Sequence, residues 1–181
     1  MTLLESLVET AKENLLKFGY VAPVFCLIKQ GHILGVLPMA MFDKILGHVP
    51  DSHEAKTRDT LLVGVLARKK NADRVVLIWD AAMRRVATKD AKEVMGDVTE
   101  QPLLYPKSMR TECIVVNDIS LPSGKDSTTV VPYRGGDGEL VTFLDIKKEF
   151  GGDTPEKIES RFTELVLEGY NSAGEMDHGA L

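Results

Sequence analysis

Cysteine is scarce in this chain. There are two in 181 residues, Cys26 and Cys113, each inside an apolar run. Two such residues do not make a disulfide framework, and a zinc deaminase would need a further close cysteine pair that is missing. Free thiols buried in a reducing compartment are the expectation. Basic runs are also lacking. The 22 Lys and Arg stand against 27 Asp and Glu, a net charge of −5, and the densest groups are Arg68-Lys69-Lys70 and Arg84-Arg85. Nucleic acid is therefore not an expected partner, because phosphate contacts need clustered cations. No apolar stretch approaches the ~20 residues of a membrane span. The opening residues carry Glu5, Glu9 and Glu13, so they do not read as a secretory signal. A soluble cytoplasmic protein without a membrane partner is expected. GxSxG, GxGxxG and CxxC do not occur. Ser123-Gly124-Lys125-Asp126-Ser127 lacks the earlier glycine of a phosphate loop, and a strand pattern follows it instead of a helix.

What is present is an ordinary globular composition, 44% apolar and 27% charged, enough to build a sizeable core. The chain reads as one domain over residues 1–170 with a polar tail at 171–181. Its organising stretch is 72–85, A-D-R-V-V-L-I-W-D-A-A-M-R-R, which holds the one tryptophan. Five apolar residues in a row bounded by charge describe a strand buried on both faces. Before it, Leu4, Leu7, Val8, Ala11, Leu15 and Phe18 repeat at helical spacing, with a Thr2/Glu5 capping box and a terminating Gly19. Residues 21–28 and 32–37 read as strands joined by a turn at Gln30-Gly31. A helix from about residue 51 to 70 follows, with a stripe of Ala55, Leu62, Val65 and Leu66 and with Leu61 beside it. After the organising stretch, strands are expected over 109–119, 128–134 and 139–146. The final helix carries Ile158, Phe162, Leu165, Val166 and Tyr170. The fold class predicted is α+β. It has a single, mostly antiparallel sheet of five to six strands, helices at both chain ends and one between the second and third strands. That middle helix leaves room for one parallel pair, which would make the sheet mixed.

Chemistry-bearing residues are few. His48, Asp51, His53 and Glu54 fall within seven positions. Such a cluster can ligate a divalent metal through His48, His53 and Glu54, although a polar loop followed by a helix cap accounts for the same residues. Asp80 closes the organising strand. Arg110 and Glu112 have strand spacing and point to one face, so Asp80, Arg110 and Glu112 form a candidate cleft lining. An exposed strand end with a weak ion pair explains the last two equally well. Cys113 in E-C-I-V-V reads as a buried strand thiol before it reads as a nucleophile.

The opening helix, Gly19 and Pro23 entering V-F-C-L-I, a strand ending in Trp79 and Arg110-x-Glu112 entering I-V-V resemble small bacterial and phage-associated proteins of unknown function. That resemblance implies no activity. The helix-hairpin-helix-strand order also resembles the start of the deaminase-like fold and of roadblock-type scaffolds, at the level of fold alone. With no catalytic constellation in view, the expectation is a non-enzymatic domain that binds a protein partner or a small ligand, without a cofactor, and that forms a homo-oligomer. Its candidate surface comprises Met39, Met41 and Phe42, or Leu103-Leu104-Tyr105. The alternative is a metal-dependent, hydrolase-like enzyme built on His48, His53 and Glu54 with Asp80 or Glu112 brought near.

Overall fold

A computed structural model describes residues 1–39, 53–83, 111–136, 138–146 and 161–178. The first helix, α1, spans Leu3–Phe18. Its start is fixed twice over: the Thr2 hydroxyl accepts from the Glu5 amide, and the Glu5 carboxylate accepts from the Thr2 amide at 2.6 Å. Its end is fixed by Gly19 at φ 79°, whose N–H reaches the Leu15 carbonyl. A residue with a Cβ resists that left-handed backbone, so the glycine defines where the helix stops.

Strands β1 (Val24–Lys29) and β2 (His32–Pro38) form a hairpin. Gln30 and Gly31 both have positive φ, 50° and 78°. That is the two-residue turn whose twist matches paired strands. The Gln30 amide donates to Asp73 at 2.6 Å, which ties this turn to the start of the central strand. Helix α2 (His53–Lys69) then leads to β3 (Arg74–Met83). Strands β4 (Thr111–Ser120), β5 (Asp126–Gly136) and β6 (Glu139–Phe143) follow, and α3 (Arg161–His178) is the last helix. The strand order is β2-β1-β3-β4-β5-β6 and every neighbouring pair is antiparallel. The α+β single-sheet expectation holds, with β3 in the interior. Among the described residues no parallel pair forms, because α2 carries the chain across β1 and sets β3 on its far side.

The alternation of β3 assigns the two faces. Val75, Leu77 and Trp79 pack with Phe25, Leu27 and Ile119 beneath α2 and α3. Val76 and Ile78 pack with Cys26, Ile28, Ile114 and Val116 beneath Val8, Ala11 and Leu15 of α1. Both faces of β3 are thus covered, which is why its apolar residues run without interruption.

Two sequence expectations shift. The buried centre of α2 is Asp59, Thr60, Val63, Gly64 and Ala67, whereas Leu61, Leu62, Val65 and Leu66 flank it half-buried. The reason is the approach of α3. A Cβ on Gly64 would strike the Val166 carbonyl, and one on Gly169 would strike the Leu61 carbonyl. Only small residues permit backbones to come so near, so the large apolar side chains are displaced to the rim of the contact. Further along, residues 171–178 continue α3 instead of forming a tail. Ala173 and Gly174 are buried there, with Gly174 beside the Arg68 guanidinium.

Candidate functional site

Of the residues singled out from the sequence, His48, Asp51 and Arg110 lie outside the described residues, as do Met41, Phe42 and 103–105. His53 and Glu54 open α2. Asp80 and Glu112 lie on the opposite face of the sheet from that helix. Asp80 stands opposite Ile114, and Glu112 stands opposite both Ala82 and Tyr133, on the face covered by α1. The residues of α2 that pack on the sheet, Val63 and Ala67, lie on the other face. Among the described residues, no group of three or more His, Cys, Asp and Glu is placed to hold a metal ion.

The structure gives Asp80 a partner that sequence reasoning missed. The Tyr133 hydroxyl lies 2.8 and 2.9 Å from the two carboxylate oxygens of Asp80. Asp80 is on β3 and Tyr133 on β5, so the ring reaches across β4 to link strands that are not neighbours. Burial raises the Tyr133 phenol well above its ordinary pKa. The hydrogen bond to Asp80 and the charges of Asp80 and Glu112 push the same way. The phenol is thus held neutral, as a donor. Carboxylate and buried phenol together brace β3 to β5. A signal for this existed in the sequence: Val131 and Tyr133 share one strand face, but their partner depended on a long-range register.

On the other face a polar chain crosses the sheet. The Trp79 indole N–H donates to Asn117 Oδ1 at 3.0 Å, and Asn117 Nδ2 donates to Thr128 Oγ1 at 2.8 Å. Asn117 is fully buried. Trp79 packs edge-on against Phe162, with centroids 5.4 Å apart, and the Thr163 hydroxyl donates to Asp126 at 2.6 Å. These contacts seat the start of α3 on β3 and β5.

Both cysteines are buried and neither forms a disulfide. Burial pushes the Cys26 thiol up to about 11, the opposite of what a reactive thiolate needs. Cys113 is fully buried with its Sγ 3.7 Å from the Thr111 carbonyl. In native protein at pH 8, neither thiol should react with a disulfide reagent within the time that full labelling takes in denaturant. Rapid native labelling of Cys113 would reopen a redox role for it. Because the folded pKa of Cys26 exceeds the unfolded value, its contribution to stability is complete below about pH 9 and is lost as pH rises toward 11.

The surface feature that stands apart is the β2 edge. Met39, expected as surface, is buried in the core beneath α2 and α3, and its amide bonds the Pro23 carbonyl. The strand before it is open. Ile33, Leu34 and Val36 are 43%, 43% and 50% exposed. The register explains their common placement. Val36 stands opposite Cys26 and Ile33 opposite Ile28, both of which face α1, and a register shift between Leu27 and Ile28 inserts one extra residue. Leu34, two residues before Val36, has the same parity. An irregularity of this kind therefore sets three apolar residues on one face of one strand. The backbone of β2 points outward at two of them. Lys29 and His32 flank the turn as a bonded pair, and the Met39-to-Pro23 bond marks the other end of the ladder. Alternation from either end turns the amides and carbonyls of Ile33 and Val36 away from β1. Among the described residues β2 has one strand neighbour, β1.

No family model matches the chain, and neither a curated protein nor a solved structure does.

Proposed function

We propose that this chain is a non-enzymatic cytoplasmic binding domain, and that the β2 edge takes up an extended segment of a protein partner by strand addition. The observation that carries this reading is the combination at Ile33 and Val36: outward backbone groups beside exposed apolar side chains. Main-chain bonds supply affinity in such recognition and alternate side chains supply selectivity. Native edges are commonly blunted with lysine or other charge, and β2 carries no Asp, Glu, Lys or Arg. Two buried cysteines outside any disulfide accord with a reducing compartment.

The test is a panel of short, uncharged peptides rich in Val, Ile and Leu, measured by fluorescence anisotropy against nanomolar protein. Members of the panel should bind the wild type in the micromolar range. Val36→Pro removes the outward N–H at a position where an edge strand tolerates proline, and should weaken binding at least tenfold with an unchanged far-UV spectrum. Equal binding to both proteins, or no binding up to millimolar peptide, overturns the proposal.

A further inference from the structure

We infer that the segment paired with β2 is β2 of a second copy of this chain, in an antiparallel two-fold arrangement that joins two six-stranded sheets into one. The inference rests on the reading of β2 as an open edge and adds the identity of its occupant.

The argument begins with self-complementarity. In a two-fold antiparallel pair, the residue numbers of partners have a constant sum. The outward positions of β2 that carry both an N–H and a carbonyl are Ile33 and Val36. Setting Ile33 opposite Val36 of the second copy automatically sets Val36 opposite its Ile33. The four N–H groups and four carbonyls of Ile33 and Val36 in the two copies then find partners. The extra residue between Ile33 and Val36 would spoil register against a regular strand. It does not spoil it against itself, because both copies carry the same insertion over the same interval.

The side chains agree with this pairing. A two-fold axis perpendicular to the sheet keeps the α1 face on one side in both copies. Ile33, Leu34 and Val36 therefore meet their counterparts in one apolar strip, on a part of the face where their exposure shows that α1 does not cover them. On the other face, Gly35 lies near the axis, and a Cβ there would meet nothing within 4 Å.

Charge separates a second copy from a general partner. Isologous pairing brings a strand against itself, so a charged residue near the axis meets its own like. The seven residues of β2 contain no Asp, Glu, Lys or Arg. The opposite edge of the sheet, β6, begins with Glu139 and is one residue removed from Asp145. Of the two sheet edges among the described residues, β2 is the one without an Asp, Glu, Lys or Arg.

Cysteine pairs test the register directly. Ile33→Cys and Val36→Cys are made separately and oxidised alone and as an equimolar mixture. Residues directly opposite as a bonded pair have Cα atoms about 5.5 Å apart, within disulfide reach. The mixture should give a covalent dimer at least tenfold faster than either variant alone. In parallel, sedimentation equilibrium of the wild type should show a concentration-dependent rise toward twice the chain mass. Val36→Lys, with an unchanged far-UV spectrum, should stay at the single-chain mass throughout. The inference is overturned if the wild type is a strict monomer, if Val36→Lys associates as strongly, or if either cysteine variant cross-links alone as fast as the mixture. A monomer that still binds the apolar peptides in a Val36-dependent way would remove self-pairing and leave the binding-domain reading standing. A monomer that binds none of them would remove both.

Discussion

Gly64→Ala and Gly169→Ala should each destabilise the protein by about 3 kcal/mol, although alanine is the better helix former by about 1 kcal/mol. The two effects oppose each other, and geometry decides the sign. A Cβ at Gly64 would press on the Val166 carbonyl and the Tyr170 amide, and one at Gly169 on the Leu61 carbonyl. All three are backbone atoms in the middle of helices, so no side chain can swing aside. The helices must separate, and separation loosens Val63, Ala67, Val166 and Tyr170, which share one core with β1 and β3. For a chain of this size, 1 kcal/mol corresponds to roughly 2–4 °C in Tm, so thermal unfolding should fall by about 6–12 °C in each variant. Once one alanine has spread the helices, the second meets less resistance. The double variant should therefore cost clearly less than the sum. Gly35→Ala supplies the control, since its Cβ enters open space, and its Tm should move little. A stabilised Gly64→Ala would show that the helices do not cross this closely.

The same contact shows where sequence reasoning reaches and where it stops. The stripe of helix α1 was legible through Val8, Ala11 and Leu15, whereas Phe18, expected in it, is exposed. The bounds of α1 were legible, because its caps are local: Thr2, Glu5 and Gly19 act on backbone within four residues of themselves. The Gln30-Gly31 turn was legible for the same reason, and the interior place of β3 followed from its unbroken apolar run. The face of α2 was not. Large apolar residues suggested a stripe through Leu62 and Leu66, but what lies at the centre is decided by the distance to α3, which no local pattern records. The β2 edge failed differently. I-L-G-V-L is as apolar as V-F-C-L-I, yet β1 is buried and β2 exposed. The difference comes from strand order alone, and the extra residue that gathers Ile33, Leu34 and Val36 on one face appears only in the register. Asp80 was visible as an acid after the apolar run, but β3 continues past it to Met83, and Tyr133 as its partner needed the β4–β5 pairing.

Asn117 carries the second large expectation, through a buried donor and a buried acceptor used at once. It accepts from Trp79 and donates to Thr128. Asn117→Ala should cost about 2–4 kcal/mol, since it leaves the indole N–H and the Thr128 hydroxyl without that partner and opens a small void. Asn117→Asp has nearly the same shape but a different failure. At neutral pH it keeps the acceptor for Trp79, loses the donor to Thr128 and places a charge where water does not reach, at a cost of about 3–5 kcal/mol. Burial should raise the new carboxyl's folded pKa above its unfolded value near 4. A raised acid favours folding below its unfolded pKa and loses that contribution as pH climbs through the folded one. Relative to wild type at the same pH, Asn117→Asp should therefore regain stability as pH falls from 7 toward 4, when the protonated oxygen can again donate to Thr128. Asn117→Ala has no such group, and its deficit should be flat over that range. Denaturant unfolding followed by the emission of Trp79, the one tryptophan in the chain, reads both the stability and the local environment. A pH-independent deficit in Asn117→Asp would mean that position 117 is open to water and that the polar chain across β3, β4 and β5 is not the sealed feature that its geometry describes.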